Sequence, residues 1–335
     1  MTESSVSATM RAAFISQPGP PEAIQVGELP VPQPGPSDVL VRVRAVALDP
    51  VDALIRSGRY RTPIPFPFVI GRDLVGSVVQ VGSAALPFQE GELVWCNSLG
   101  HEGRQGAFAE YAVVPADRLY RVPEGVDPEE VVAVAHPAAT AYLGWFVHAR
   151  LRAGETVYVG GAAGNVGMAA LQMAVLAGAR VIAAARDRDH ARLLEAGADA
   201  AVDYRDPRLA QRLAELVRDG VDVMWNTSGH HELAAVPELV APGGRILLTA
   251  SPGPQVTLPL RALYVRDVSL LGFVLSRASG RELADAAALI NRMLADRTLT
   301  TRITARLPLS EAAAVHRRME AGEVEGRILL YPDRG

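Results

Sequence analysis

The sequence predicts a two-domain α/β protein in which one domain is a doubly wound parallel sheet. A chain of 335 residues is longer than one hydrophobic core usually organises. From about residue 130, helix-like and strand-like runs alternate, which is typical of βαβ units around a parallel sheet. The preceding part consists of short β-type runs separated by prolines and turn residues. These observations predict a β-rich domain followed by an α/β domain.

Each element is predicted from a local pattern. In the β-rich part, alternation of apolar with charged or polar residues predicts half-buried strands at 39–48, 74–82 and 108–115. In the α/β part, a strand-like run at 157–159 leads into alternating helix-like and strand-like runs at 167–178, 181–185, 188–196, 207–218, 221–225, 230–240 and 244–249. A helix-like run at 310–321 and a strand at 326–331 close the chain.

Composition excludes several classes of protein. The net charge of −4 and the lack of a basic block give no reason to expect a nucleic-acid partner. The weakly polar region 157–185 contains glycines and polar residues that argue against a membrane span, so no membrane partner is expected. Cys96 is the single cysteine, which excludes an intrachain disulfide and a four-cysteine zinc site and is consistent with a cytoplasmic location.

A glycine-rich turn separates the strand-like run 157–159 from the helix-like run that follows. Such a turn brings main-chain N–H groups and the positive end of a helix dipole close to a ligand, which suits a pyrophosphate. The turn resembles the dinucleotide fingerprint of Rossmann domains. We expect Gly164 to admit the phosphates and Gly167 to allow close helix packing. The predicted cofactor-binding residues of this turn are Gly161, Ala163, Gly164, Asn165, Val166 and Gly167.

The end of the next strand predicts which dinucleotide is bound. NAD sites place an acidic residue there for the ribose hydroxyls, whereas NADP sites replace it with a cation. Here Ala185 stands at the acidic position and Arg186 follows, with His190 nearby. A guanidinium can form a forked contact with a 2′-phosphate. The sequence therefore favours NADPH, although Asp187 and Asp189 partly offset the positive charge.

With these residues in place, the chain resembles the zinc-free quinone oxidoreductase (zeta-crystallin-like) branch of the medium-chain dehydrogenase/reductase superfamily. The resemblance runs from about Met10 to Pro332. It rests on motifs that include "DPVDALIRSGRY" (49–60), "PFVIGRDLVGSVVQVG" (67–82), "GAFAEYAVVPADRLYRVPEGV" (106–126), "AATAYLGW" (138–145), "GGAAGNVGMAALQMA" (160–174) and "GRILLYP" (326–332).

The resemblance implies an architecture, an activity and an assembly. It implies a GroES-like β-barrel catalytic domain formed by residues 1–132 and 301–335, and a Rossmann dinucleotide-binding domain formed by residues 133–300, with the active site between them. It also implies NADPH-dependent hydride transfer to a small-molecule quinone or α,β-unsaturated carbonyl compound (an enone), and assembly as a homodimer or homotetramer.

The resemblance also bears on metal binding. Zinc-dependent relatives carry a cysteine where Asp49 stands, a histidine where Arg72 stands and a second cysteine near His136. An arginine is cationic and cannot ligate zinc. Asp49 and His136 alone provide too few ligands for a zinc site. We therefore expect no metal.

Without a metal, protein groups must stabilise the charge that develops on the substrate. Asp49 stands where the zinc-free relatives usually carry asparagine, and it is a candidate catalytic residue. It can accept hydrogen bonds from the nicotinamide ribose, pair with Arg72 or His136, or carry a proton. Tyr60, by resemblance, borders the substrate pocket and is the second candidate, as a hydrogen-bond donor or as an aromatic wall.

Further cofactor contacts are implied by the resemblance. Thr140 corresponds to a threonine near the nicotinamide, and Phe273 lies in the segment that flanks it. Tyr204 corresponds to a residue near the adenosine phosphate. Asn226 and Ser251 end later strands of the Rossmann sheet, where ligands gather.

Three other functions remain open at this point. One is a biosynthetic enoyl reductase, because pocket shape rather than motif separates it from a quinone reductase. Another is a zinc-free alcohol or carbonyl dehydrogenase. The third is an NADPH-binding sensor or structural protein without turnover, which the unusual Asp49 would favour.

Overall fold

The computed structural model describes residues 7–85, 87–229, 239–250, 255 and 257–332. The chain divides into two compact units, one formed by Met1–His136 with Leu283–Gly335 and the other by Pro137–Glu282. The second unit thus ends before residue 300, where the sequence placed the boundary. Most of the helix Gly280–Ala295 groups with the first unit. Its Asn291 accepts a hydrogen bond from Trp95 Nε1 and donates one to the carbonyl of Arg121, and both of these residues belong to that unit.

The first unit is built mainly from antiparallel strands. Its strands are β1 Thr9–Ile15, β2 Gln25–Pro30, β3 Asp38–Ala47, β4 Phe68–Val69, β5 Asp73–Val81, β6 Leu93–Cys96, β7 Tyr111–Pro115, β8 Tyr120–Arg121, β15 Ile303–Pro308 and β16 Arg327–Tyr331. A seven-stranded sheet has the order β15-β16-β3-β5-β6-β8, with β7 also paired to β3, and a smaller sheet has the order β2-β1-β4. The strands predicted at 39–48, 74–82 and 108–115 correspond to β3, β5 and β7.

Strand β3 shows why these residues form a sheet around a core. Val41 and Val43 are buried, whereas Arg42 and Arg44 between and beyond them are exposed. This period of two places one face of the strand on the core and the other in solvent. Strand β16, in contrast, is buried along its whole length, which means that both of its faces are covered, and it lies between β15 and β3 in the sheet.

The second unit contains a six-stranded sheet in which all neighbouring strands are parallel. Its strands are β9 Thr156–Gly160, β10 Arg180–Ala185, β11 Ala200–Asp203, β12 Val221–Asn226, β13 Val240–Leu248 and β14 Ser269–Gly272. Their order is β11-β10-β9-β12-β13-β14, which is the 3-2-1-4-5-6 order of a Rossmann sheet. This confirms the predicted doubly wound sheet, in which ligands bind beyond the carboxyl ends of the strands where the order reverses, at β9 and β12.

The helices complete both units. In chain order they are α1 Pro50–Arg56, α2 Pro128–Tyr142, α3 Asn165–Leu176, α4 His190–Glu195, α5 Leu209–Leu216, α6 Leu260–Tyr264, α7 Gly280–Ala295 and α8 Ala312–Glu320. A π-helical turn, Leu143–His148, follows α2 directly. Most of the helix predicted at 230–240 lies outside the described residues. Among the described residues, no helix is long and apolar enough to cross a membrane.

Candidate functional site

The predicted glycine turn joins β9 to α3 at the point where the strand order reverses. Gly161 has a φ of +68°, which a residue with a side chain rarely adopts. The turn closes on itself, because the N–H of Gly164 donates to the carbonyl of Gly161 at 2.9 Å. From outside the turn, Arg192 Nη2 donates to the carbonyl of Ala163 at 2.8 Å. The turn therefore has a fixed backbone at the amino end of α3, as a phosphate site requires.

Gly164 and Gly167 have different spatial roles in this turn. A Cβ atom on Gly167 would lie 2.2 Å from the carbonyl oxygen of Gly161, so only glycine allows α3 to start so close to the strand. A Cβ atom on Gly164 would meet only that same oxygen, at 3.2 Å. Gly164 is thus much less crowded than Gly167, as expected if Gly164 admits the phosphates. Asn165 and Val166, which lie between these two glycines in sequence, are the first residues of α3.

The residues predicted to bind the adenosine phosphate, Arg186, His190 and Tyr204, lie just beyond the ends of β10 and β11. Arg186 is exposed directly after β10, and its Nε donates to the hydroxyl of Tyr204 at 3.3 Å. That hydrogen bond lowers the pKa of Tyr204. His190 is held differently, with Nδ1 at 3.5 Å from the carboxylate of the exposed Asp187. The structure thus brings Arg186 and Tyr204 together and orients His190 toward its own acidic neighbour.

The remaining predicted cofactor residues fall at other points of the second unit. Asn226 ends β12 beside the glycine turn, where a Cβ atom on Gly160 would lie 2.8 Å from its side-chain carbon. Phe273 follows β14 and stacks on His148 with ring centroids 4.4 Å apart. Thr140 is nearly buried on α2. Ser251 lies outside the described residues.

The first unit contains a second constellation, made of buried charged groups around the start of α1. Asp49 precedes α1 and its Oδ1 accepts a hydrogen bond from Arg327 Nη1 at 2.8 Å. Arg327 Nη2 lies 3.7 Å from Asp73 Oδ2, which also accepts the N–H of His136 at 3.1 Å. Asp52 accepts the N–H of Asp49 at 2.9 Å. The carboxylate of Asp49 is therefore paired with Arg327, a partner that the sequence analysis did not consider beside Arg72 and His136.

Burial and the repulsion between neighbouring carboxylates give these aspartates different pKa values. Burial raises the pKa of Asp52 to about 8, and the charge of Asp49 adds to the effect. The same two causes raise the pKa of Asp73. Burial is the largest single influence on Asp49 and opposes its ionisation, but the charges of Arg327 and His136 and the hydrogen bonds with Arg327 and Asp73 together outweigh burial and lower the pKa of Asp49. Asp49 is thus the ionised member, and Arg327 is its counterion.

A metal fits this constellation poorly. Ligand atoms of Asp49, Asp73 and His136 lie within 4.8 Å of one another, which is close enough to consider a divalent cation. However, the guanidinium of Arg327 already hydrogen bonds to Asp49 and faces Asp73. A metal ion at this point would face that fixed positive charge, and displacing the guanidinium would leave a buried cation unpaired. The residues present suit an internal ion pair better than a zinc ion.

Tyr60 lies at the edge of the same constellation. It is half-buried, and its ring centroid is 5.8 Å from that of His101. Both side chains are within reach of the charge of Arg72, which is itself buried. The sequence thus identified Asp49, Arg72 and Tyr60 but missed Arg327. Arg327 could have been noticed in the sequence as the charged residue that begins an otherwise apolar strand, "RILLY". It lies 278 residues away from Asp49 in sequence.

Comparisons with known proteins agree with this geometry. Residues 35–124 match the family model for the alcohol dehydrogenase GroES-like domain, and residues 165–292 match the zinc-binding dehydrogenase model. The quinone oxidoreductase of Mus musculus is 30% identical over 327 residues, covering 96% of this chain and 97% of the relative. The chain belongs to the quinone oxidoreductase branch of the medium-chain dehydrogenase/reductase superfamily. It is an oxidoreductase with a GroES-like domain and a Rossmann domain.

Solved structures of this superfamily superpose on nearly the whole chain. An NAD-dependent alcohol dehydrogenase matches with a TM-score of 0.87 at 33% identity, covering 96% of this chain and 99% of that one. A mycobacterial protein solved in complex with NADPH matches with a TM-score of 0.84 at 29% identity, covering 96% and 100%. These two relatives carry different cofactor names, so the choice of cofactor depends on this chain's own residues.

Proposed function

We propose that this protein is an NADPH-dependent oxidoreductase that reduces a quinone or an α,β-unsaturated carbonyl compound without a bound metal. The observation that carries the proposal is Arg186, which directly follows Ala185, the residue that stands at the end of β10 where an NAD site has its acidic residue. Its hydrogen bond to Tyr204 orients the guanidinium at the exposed end of the sheet. A fixed cation there favours the 2′-phosphate that distinguishes NADPH from NADH.

The glycine turn supports the same proposal. Gly161, Gly164 and Gly167 place no side chain at the amino end of α3, where the helix dipole favours a pyrophosphate. When bound, NADPH supplies a hydride. The residues of this chain would then fix the dinucleotide at the turn and hold its adenosine phosphate at Arg186. Thr140 and Phe273 would flank the nicotinamide.

Zinc independence rests on the charged groups around Asp49. Arg327 neutralises Asp49, and Arg72 adds a second buried cation where zinc-dependent relatives have a histidine ligand. A reduction catalysed here would depend on protein side chains for stabilising negative charge on the substrate.

The test is NADPH oxidation followed by absorbance against a panel of quinones and enones. We expect turnover with members of the panel, a clear preference for NADPH over NADH, and no loss of rate after dialysis against a chelator. Gly164→Val is the control variant, because it should abolish dinucleotide binding. Absence of turnover with every quinone and enone, or loss of activity on chelation that zinc restores, would overturn the proposal.

A further inference from the structure

Arg72 is a buried cation whose donors have no acceptor among the residues that the structure describes. Its side chain is 1% exposed. Within the part of the chain that the structure describes, Nε, Nη1 and Nη2 of Arg72 make no hydrogen bond. A guanidinium carries five N–H donors, and a buried charge without partners is strongly unfavourable. Such a group is expected where an acceptor from outside the protein binds.

The neighbouring carboxylates do not fill this role. Asp49 is paired with Arg327 at 2.8 Å, and Asp52 accepts the main-chain N–H of Asp49. Asp73 accepts the N–H of His136 and faces Arg327. Among the described ion pairs closer than 4.0 Å, none includes Arg72. Its charge is therefore balanced only at longer range.

Other donors gather on the side of Arg72 toward Tyr60. The ring of His101 lies 5.8 Å from that of Tyr60, and its Nδ1 makes no hydrogen bond to the described residues. Arg104 Nε is also buried without such a bond. The one acidic side chain paired to this group among the described residues is Glu102, which is 60% exposed and stands 3.7 Å from His101 and 3.8 Å from Arg104. The donors thus outnumber the acceptors.

The backbone holds Arg72 in place. Gly71 has a φ of +94°, and a Cβ atom on it would lie 2.0 Å from the ring of Phe108. On the other side, the carbonyl of Arg72 accepts the N–H of Leu99 at 3.3 Å, at the start of the loop that carries His101. The fixed backbone and the burial of the side chain together limit where the guanidinium can lie, and a charge held in place is what makes electrostatic stabilisation effective in catalysis.

We propose that Arg72, with Tyr60 and His101 beside it, binds the substrate oxygen that becomes negatively charged during reduction. This inference rests on the proposed function and assigns a binding site to the carbonyl oxygen that quinones and α,β-unsaturated carbonyl compounds share, which carries the negative charge in the reduced form. Bound NADPH would supply the hydride and become NADP⁺, so that one C–H bond of the cofactor breaks while one C–H bond forms at a substrate carbon and one π bond of the substrate is lost. The displaced electron pair is carried on the oxygen, bound to Arg72, until water protonates it.

Binding of 4-nitrophenol tests this inference without turnover. Its phenolate has the charge and geometry of a hydroquinone monoanion, and its absorbance reports whether the bound molecule is ionised. We expect the wild-type protein to bind the phenolate in preference to the neutral phenol. Arg72→Met should weaken phenolate binding by about 10- to 100-fold, because a charge-assisted hydrogen bond is lost. Arg72→Lys, which keeps the charge without the fork, should be intermediate.

Matched variants separate binding from folding. Arg44→Met removes an exposed arginine of the same sheet and should bind the phenolate as the wild type does. NADPH binding, followed by fluorescence, should be unchanged in both methionine variants. If Arg72→Met does not fold, the test uses three other variants: Arg72→Lys, Tyr60→Phe and His101→Gln. Wild-type affinity for the phenolate in all three would overturn the inference.

Two further outcomes distinguish this inference from the proposed function. A folded Arg72→Met that binds the phenolate like the wild type overturns the inference, even if the wild type reduces quinones. Arg72-dependent phenolate binding in a protein that reduces no quinone or enone supports the inference about this site and removes the proposed function.

Discussion

At the scale of single residues, Asp49 illustrates how one buried charge depends on a distant partner. Its carboxylate and the guanidinium of Arg327 are both almost fully buried, so each compensates the desolvation of the other. The residue usual in zinc-free relatives at this position is asparagine, which cannot neutralise Arg327. The presence of Asp73 at 3.7 Å from Arg327 offers a second carboxyl group that can ionise in its place.

We therefore predict that Asp49→Asn is tolerated at a moderate cost. The free energy of unfolding should fall by about 1–3 kcal/mol, less than the loss expected for breaking an isolated buried pair. Quinone reduction with NADPH should persist, and any acidic or neutral limb of the pH–rate profile should flatten. Urea unfolding and NADPH oxidation between pH 5 and 9 measure both effects.

Asp73→Asn is the matched control for that variant. Because burial and the charge of Asp49 raise the pKa of Asp73, removing its charge should cost less stability than removing that of Asp49. If Asp49→Asn folds and binds NADPH but turns over at no pH, Asp49 is an obligatory proton carrier and the reaction is closer to carbonyl or alcohol chemistry.

Arg186 carries the second prediction at this scale. Arg186→Ala should weaken NADPH binding by about 1.5–3 kcal/mol, the range for a charge-assisted contact, and leave NADH binding nearly unchanged. Titration calorimetry with both dinucleotides gives the comparison. Tyr204→Phe, which removes the hydroxyl that positions Arg186, should show a smaller loss in the same direction. Equal losses for NADPH and NADH would refute the assignment of Arg186.

At the scale of secondary-structure elements, much of the second unit was predictable because its signals are local. The alternation of strands and helices and the glycine turn can each be detected within a short window of sequence, so β9, α3 and β10 were found within two residues of their bounds. Most of helix α7 lies before the predicted boundary at residue 300 yet groups with the first compact unit, and its Asn291 contacts residues that are distant in sequence.

The pairing of Asp49 with Arg327 was not predictable for the same reason. It forms because β16 returns from the end of the chain to lie against β3, and no local pattern records which strand an arginine will face. The sequence showed Arg72 as an obstacle to zinc, but its lack of a hydrogen-bond partner among the described residues required three-dimensional coordinates.

The glycine turn provides a prediction at the element scale. Gly164→Val should leave the protein folded and abolish dinucleotide binding, because its Cβ atom would meet one main-chain oxygen at 3.2 Å, which a small shift relieves, and its methyl groups would enter the space expected for the phosphates. Gly167→Ala should instead destabilise the second unit, because its Cβ atom would lie 2.2 Å from a main-chain oxygen. Circular dichroism and NADPH fluorescence separate the two effects. Normal NADPH binding by folded Gly164→Val would place the pyrophosphate elsewhere.

At the scale of the whole molecule, the first unit depends on chain segments from both ends of the sequence. Strand β16 is buried over its full length, and Arg306 and Tyr331 both contact Glu129 at the start of α2. The same C-terminal region contributes α8, whose His316 is fully buried against the N-terminal part of the chain near Phe108. Protonation of such a group affects the stability of the whole unit.

The buried His316 predicts how the free energy of unfolding changes with acid pH. Burial, followed by the charge of Arg56, lowers the pKa of His316 to about 3, whereas the unfolded chain protonates this histidine near 6.5. The unfolded state therefore binds the proton first as pH falls. The stabilisation is complete above about pH 6.5 and is lost progressively down to about pH 3. His136, with its pKa lowered by burial to about 4, acts in the same direction.

We predict that His316→Leu makes the protein less sensitive to acid. Between pH 6.5 and pH 4 the wild type should lose about 2–3 kcal/mol more unfolding free energy than the variant, because the leucine binds no proton in either state. Urea unfolding at several pH values gives the two slopes. Phe108→Leu is the control, since it disturbs the same packing 6.4 Å away without removing a titratable group, and it should retain the wild-type slope. Parallel pH profiles for the wild type and His316→Leu would show that His316 is protonated in the folded protein as readily as in the unfolded chain.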